Sequence, residues 1–307
     1  MRKLLYLTLS MALVAVITSY AMWTTERPAG HYLSDLRIQL AVDQGVPGDR
    51  GNLLGIQPLL FPTDYQSPER LHRKLAAYLQ QAGDLGLLNA KTVVVLPEHV
   101  GTWLMVSGEK DELYQAATFD EAMNWLAASN PLPFLRAWVM AKGDSRVADA
   151  HLRMKAKNMA RQYQALFGGL AREFQVTLVA GSIVLPEPRV EDGSLKIGRG
   201  PLYNASLVFG RDGLPLGQPQ RQAVAVEARV DLIHQAQGAA WLATQWPWLP
   251  PALAARWART YGARAALILG QADSMAALGT HFGADLYEAE MRYLCAHEWV
   301  RQADDVL

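Results

Sequence analysis

Cysteine is almost absent from this chain. Cys295 is the single one among 307 residues, so no internal disulfide can form, and one thiol does not decide the redox compartment. An excess of charge is missing too, since 29 Lys and Arg balance 29 Asp and Glu. There is no basic stripe, and aromatics do not interleave with a Lys/Arg cluster, so a nucleic-acid partner is not expected. Seven histidines are scattered (His31, His72, His99, His151, His234, His281 and His297), with no H-x-H or H-x-x-x-H pair. Neither a metal nor any other cofactor is therefore expected. Gly-rich phosphate loops are lacking. Ala180-Gly181-Ser182 lacks the G-x-S-x-G elbow of a serine hydrolase. No lysine follows Lys196, and the chain has no internal repeat and no low-complexity tract.

Hydrophobic residues are plentiful, at 50% of the chain, enough for one large core or two modest ones. Arg2 and Lys3 precede an uncharged stretch from Leu4 to Trp23, about long enough to cross a bilayer. Ser19-Tyr20-Ala21 offers a weak cleavage site, so residues 1–23 are read as a signal peptide or an uncleaved anchor. In both cases the positive flank stays inside, and the body is expected in the cell envelope, outside the cytoplasm. Residues 24–35 read as a linker.

The body from residue 36 to 307 alternates strands and helices. Leu36 to Asp43 reads as a strand, with Gly45, Pro47, Gly48 and Gly51 as the loop that follows. Ser67-Pro68-Glu69 opens a helix with an N-cap, a proline at the first position and an acid in the first turn. Residues 105–150 are mixed, with Pro131 and Pro133 marking a turn, and read as an insertion. Residues 151–174 carry an apolar stripe (Met159, Tyr163, Leu166, Phe167, Leu170) that reads as core. Strands are expected at Val176–Ser182 and Leu202–Phe209, with a hairpin or loop at Pro186–Gly200 between them and a turn at Arg211-Asp212-Gly213. The class is α/β, with helices covering a sheet.

Glu98 is the most informative position. The run Thr92-Val93-Val94-Val95-Leu96 reads as a strand buried on both faces, and Pro97 ends it. The next side chain is a carboxylate at the carboxyl end of a buried strand, the edge where open α/β sheets hold their ligand crevices. Half withdrawn from water, it can act as a general base. The plainer alternative is a helix cap or a salt-bridged acid.

Four segments, in order, resemble the nitrilase, or carbon–nitrogen hydrolase, superfamily: Ile38–Gln44, Val93–Trp103, Leu178–Pro188 and Leu202–Gly213. The resemblance implies a nitrilase-like α-β-β-α sandwich, incomplete at the C-terminus here, and a homodimer formed through helices. It also implies a Cys nucleophile, a Glu base and an oxyanion-facing Lys acting on a small-molecule amide or nitrile. Glu98 carries over as the base. The Lys position holds Gln222, leaving Arg221 as a surrogate cation, and Glu227 matches a supporting acid. Three registers compete for the nucleophile: Leu286, Gln271 and Cys295, of which only Cys295 is a thiol. Only twelve residues follow it. Trp241, Trp246, Trp248 and Trp257 match no block of the family.

The sequence thus predicts a carbon–nitrogen hydrolase-like protein acting on a small amide, nitrile or N-acyl substrate. Its site residues would be Glu98, Cys295 and Arg221. The alternative is an inactive binding or assembly module of the same fold in the cell envelope; acyl transfer ranks third.

Overall fold

The computed structural model describes residues 2–26, 36–46, 51–142, 145–223 and 264–270. It opens with α1 (Arg2–Thr25), whose segment Lys3–Thr25 is long and apolar enough to cross a membrane. From Lys3 to Met22 its side chains are exposed.

The body is built on a seven-stranded mixed sheet of order β1-β9-β2-β3-β4-β7-β8. The strands are β1 (Ile38–Gln44), β2 (Asn52–Gln57), β3 (Thr92–Val95), β4 (Thr177–Pro186), β7 (Leu202–Phe209), β8 (Gln220–Ala223) and β9 (Arg264–Gly270). The central strands β9, β2, β3 and β4 run parallel, while β1, β7 and β8 pair antiparallel at the flanks. A separate hairpin joins β5 (Arg189–Glu191) to β6 (Ser194–Lys196).

Helix α2 (Pro68–Asp84) begins as its sequence dictates: the Ser67 side chain accepts from the Arg70 amide and Pro68 takes the first position. Helix α6 (Arg146–Phe174) is the longest in the body. Leu71, Leu75, Tyr78 and Leu79 of α2 share one core with Met159, Tyr163, Phe167 and Leu170 of α6. Leu54, Val94, Leu178 and Phe209 of the sheet complete it. Near its end α6 touches the Gly210–Gly213 turn backbone to backbone. A Cβ on Gly168 would lie 2.4 Å from the Gly213 carbonyl oxygen, and one on Gly213 2.6 Å from the Gly168 oxygen.

Three differences from the sequence reading have plain causes. Asn52–Gln57, to which the sequence reading gave no element, is strand β2, lying between β9 and β3; its alternation is hard to see because Gly55 interrupts a run of apolar residues. Pro131 does not mark a turn but opens α5 (Pro131–Met140), where a missing amide costs nothing. Residues 105–142 are chiefly helical, in α3 (Asp111–Tyr114), α4 (Phe119–Ser129) and α5. The α/β class holds. The four-layer sandwich is not what the described residues form, which is one large sheet with helices packed on it and a small hairpin.

Candidate functional site

The segment after β3 continues the ladder for one residue, through the Leu96 amide to the Val179 carbonyl at 3.0 Å, and then turns away at Pro97. Room for that turn comes from β4. Gly181 has φ +54, and a Cβ there would lie 2.1 Å from the Pro97 carbonyl oxygen. The register of β4 against β7 shifts between Val179 and Ser182. This bulge reverses the alternation: Leu178 and Ala180 join the core before it, Ile183 and Leu185 after it. Ser182 is thereby turned off the core-facing set of positions and towards the loop.

There it holds the loop in place. The Ser182 hydroxyl accepts from the His99 amide at 2.7 Å, and its carbonyl accepts from the Gly101 amide at 2.9 Å. His99 sits in the left-handed region at φ 61, unusual for a side chain of its size. Its Nδ1 lies 3.2 Å from Thr102 Oγ1, and that oxygen accepts from the Val184 amide at 3.1 Å. Two buried tyrosines brace the arrangement from the core. Tyr65 donates to the Val100 carbonyl at 2.9 Å. The Tyr163 hydroxyl lies 3.0 Å from both the Ala180 and the Gly181 carbonyls. Burial pushes the proton affinity of both phenols up, so they remain donors.

This scaffold presents Glu98. Its Oε1 accepts from the Asn204 side-chain amide and lies 3.6 Å from His99 Nε2. The Glu98 and His99 side chains are only 11% and 18% exposed. Asn204 Oδ1 is buried with no hydrogen-bond partner. A carboxylate fixed by an amide, with an imidazole beside it and an acceptor oxygen left over, can take up a proton and receive a donor from a bound molecule. Asn204 and Ser182 had no assigned role in the sequence reading; the signal available was a polar residue inside an otherwise apolar strand.

Of the other predicted site residues, Arg221 is the one among the described residues, and it does not join Glu98. Arg221 lies opposite Ala205 in the β7–β8 ladder and its guanidinium sits 5.3 Å from the centre of the Tyr203 ring. Strand alternation puts Ala205 and Tyr203 on one face and Asn204 on the other, so Arg221 faces away from the Glu98 carboxylate. Cys295, Leu286, Gln271 and Glu227 lie outside the described residues, as do the four tryptophans from 241 to 257. Among the described residues no group of three His, Cys, Asp or Glu gathers that could hold a metal.

A second polar cluster is structural. Glu109, nearly fully buried, pairs with Lys155 and accepts from Asn130 at 2.9 Å, which ties the α3–α5 region onto α6. Asp149 accepts from Arg153 at 2.5 Å one turn along the same helix.

No family model matches the chain, and no solved structure matches it. Curated relatives match part of it. The aerobic glycerol-3-phosphate dehydrogenase of Escherichia coli is 51% identical over 69 residues, 22% of this chain and 14% of that protein. The glycerol-3-phosphate dehydrogenase of Pseudomonas aeruginosa is 48% identical over 66 residues, 22% of this chain and 13% of that protein. The D-erythritol 1-phosphate dehydrogenase of Brucella abortus is 45% identical over 62 residues, 20% of this chain and 12% of that protein. The chain thus spans about a seventh of the length of the relatives it matches. These relatives overturn the nitrilase assignment: the proteins that match this chain at 45–51% identity over 62–69 residues are dehydrogenases, not carbon–nitrogen hydrolases. With it fall the amide or nitrile substrate, the hydrolase and amidase chemistry, and the inactive nitrilase-fold module. The four short blocks that suggested them describe how strands and turns punctuate an α/β sheet, and such features recur across unrelated chemistries.

Proposed function

We propose that this chain is a membrane-tethered protein of polyol-phosphate chemistry, which carries a segment of the dehydrogenase kind and takes part in oxidising a small phosphorylated polyol. The observation that carries the reading is identity of 45–51% to three such dehydrogenases from three organisms, two named for glycerol 3-phosphate and one for D-erythritol 1-phosphate. A stretch of 62–69 residues is shorter than a typical domain, so the likeness is to a module and not to a whole enzyme. Oxidising an alcohol to a carbonyl removes the hydroxyl proton, which goes to a base, and a hydride from the carbon, which carries both electrons to the acceptor. Glu98, with His99 beside it, is the base this reading assigns. The thiol chemistry expected of Cys295 has no part in it, nor has Arg221.

Helix α1 is retained as an anchor in this reading. Its foot is tied to the body: Tyr20 donates to the Ala128 carbonyl at 2.7 Å, Trp23 meets Trp125 at 6.2 Å, and Lys110 sits 4.4 Å over the Trp23 ring. A helix destined for removal has no use for partners on the folded body. Arg2 and Lys3 at its head favour the cytoplasmic side, which sets the body across the membrane.

The test uses the purified full chain with a redox dye as acceptor. Glycerol 3-phosphate and D-erythritol 1-phosphate should be oxidised and unphosphorylated glycerol should not. Glu98→Gln should lower kcat by about a hundredfold or more with the fold intact by circular dichroism. Absence of both turnover and calorimetric binding with every phosphorylated polyol tried would sink the proposal.

A further inference from the structure

Helix α5 is apolar on the side that faces away from the body. Leu132, Leu135 and Val139 are 77%, 56% and 67% exposed, and Met140 follows at 47%. Positions 132, 135 and 139 recur at i, i+3 and i+7, so they form one stripe. The opposite side is seated on α6 through Ala137 and Phe134, which pack with Ala150 and Met154. Such a stripe on a well-packed helix marks a contact surface.

The chain places α5 directly after the helix that holds the foot of α1. From Lys3 to Tyr20 the exposed helix rises roughly 27 Å, close to the thickness of a bilayer's hydrocarbon core. Tyr20 and Trp23 then stack at 5.8 Å, the aromatic pair expected at headgroup level. Tyr20 donates its hydroxyl to Ala128, three residues before α5 begins at Pro131. The foot of α1 is therefore tied to the chain only three residues before the start of α5.

Charge agrees with this. A cavity of about 400 Å³ opens between α5, α6 and the segment leading out of the β5–β6 hairpin, lined by Arg136, Arg153 and Arg199 together with Met140, Met154 and Ile197. Among the described residues no acidic side chain lines it. Arg153 is held by Asp149 and donates to the Gly200 carbonyl at 3.1 Å. At the end of α5 Arg146 lies 4.6 Å over the half-exposed Trp138 ring. Apolar side chains, a tryptophan and arginines together are the composition of a helix that lies in the membrane interface.

We propose that α5 is a second membrane contact: its Leu132–Leu135–Val139 stripe enters the outer part of the leaflet, while the groove of Arg136, Arg153 and Arg199 receives the phosphates of anionic lipid headgroups. The proposal rests on the reading of α1 as an anchor, and the test separates the two. In a Cys295→Ser background, single-cysteine reporters at Val14→Cys and Leu135→Cys carry an environment-sensitive fluorophore. The full chain is reconstituted into phosphatidylcholine vesicles, with and without phosphatidylglycerol, that contain spin-labelled lipids quenching at shallow or deep positions. The label at 14 should be quenched from deep positions and the label at 135 from shallow ones, more strongly with phosphatidylglycerol. Arg136→Glu with Arg199→Glu should reduce the population of the lipid-quenched state at 135 by about fivefold or more in the anionic vesicles.

An unquenched label at 135 beside a quenched one at 14 overturns the contact and leaves the anchor standing. Both labels unquenched overturn both. Emission from 135 that shifts with protein concentration and ignores the lipid quenchers means that a second copy covers the stripe, which also overturns the contact. Quenching unaffected by the charge reversals removes the arginine groove from it.

Discussion

An alanine at position 181 would carry a methyl group 2.1 Å from the Pro97 carbonyl oxygen, on a backbone held at φ +54. Both penalties fall on the residue that reverses β4, so Gly181→Ala should destabilise the fold by at least about 2 kcal/mol and displace the loop bearing Glu98. Urea unfolding measures the first effect, and loss of kcat beyond the loss of folded protein measures the second. Tyr163→Phe is a gentler probe of the same support. It removes the hydroxyl that reaches the Ala180 and Gly181 carbonyls from inside the core, and should cost about 1–3 kcal/mol in the same unfolding assay. Glu98 itself was legible in the sequence as an acid where a buried strand ends. What holds it in place was not: Asn204 is 106 positions away, and Ser182, which holds the loop through His99 and Gly101, faces it only because a bulge changes its side; no local pattern reports either.

At the scale of the helix, His151 on α6 links α4 and α5. Its Nε2 lies 3.1 Å from the Met123 carbonyl and its ring 4.9 Å from that of Phe134. Burial holds its proton affinity below the usual 6.5. The unfolded chain therefore takes up the proton first as the pH falls, so stability is intact above about pH 6.5 and declines as the pH drops towards the folded value. Urea midpoints should fall between pH 7.5 and pH 5.5, and His151→Gln should flatten that part of the profile. If the wild-type midpoint is level across the range, the ring is not shielded as described. Elements were legible where one signal dominated. The Ser67-Pro68 cap marked α2, and the Thr92–Leu96 run marked β3. Strand β2 was missed because its neighbours in the sheet are residues 92–95 and 264–269, contacts that a local window does not contain. The arginine groove is likewise assembled from three separate stretches, around positions 136, 153 and 199.

For the whole molecule, the sequence pattern pointed correctly to an α/β body behind an apolar leading helix, whereas the chemistry drawn from short strand-and-turn blocks was overturned by longer segments about half identical to dehydrogenases. Membranes holding the full chain should retain it through a high-salt wash and release it to detergent, as a spanning helix requires; appearance in the salt supernatant would contradict the anchor. The contacts of Tyr20 and Trp23 with Ala128, Trp125 and Lys110 have a mechanical consequence. A globule on a slack leash tumbles and shows every side to its surroundings in turn. If α1 spans a bilayer as proposed, a bracket bolted at its foot spins only about the bilayer normal, and the Glu98 carboxylate keeps one altitude and one tilt.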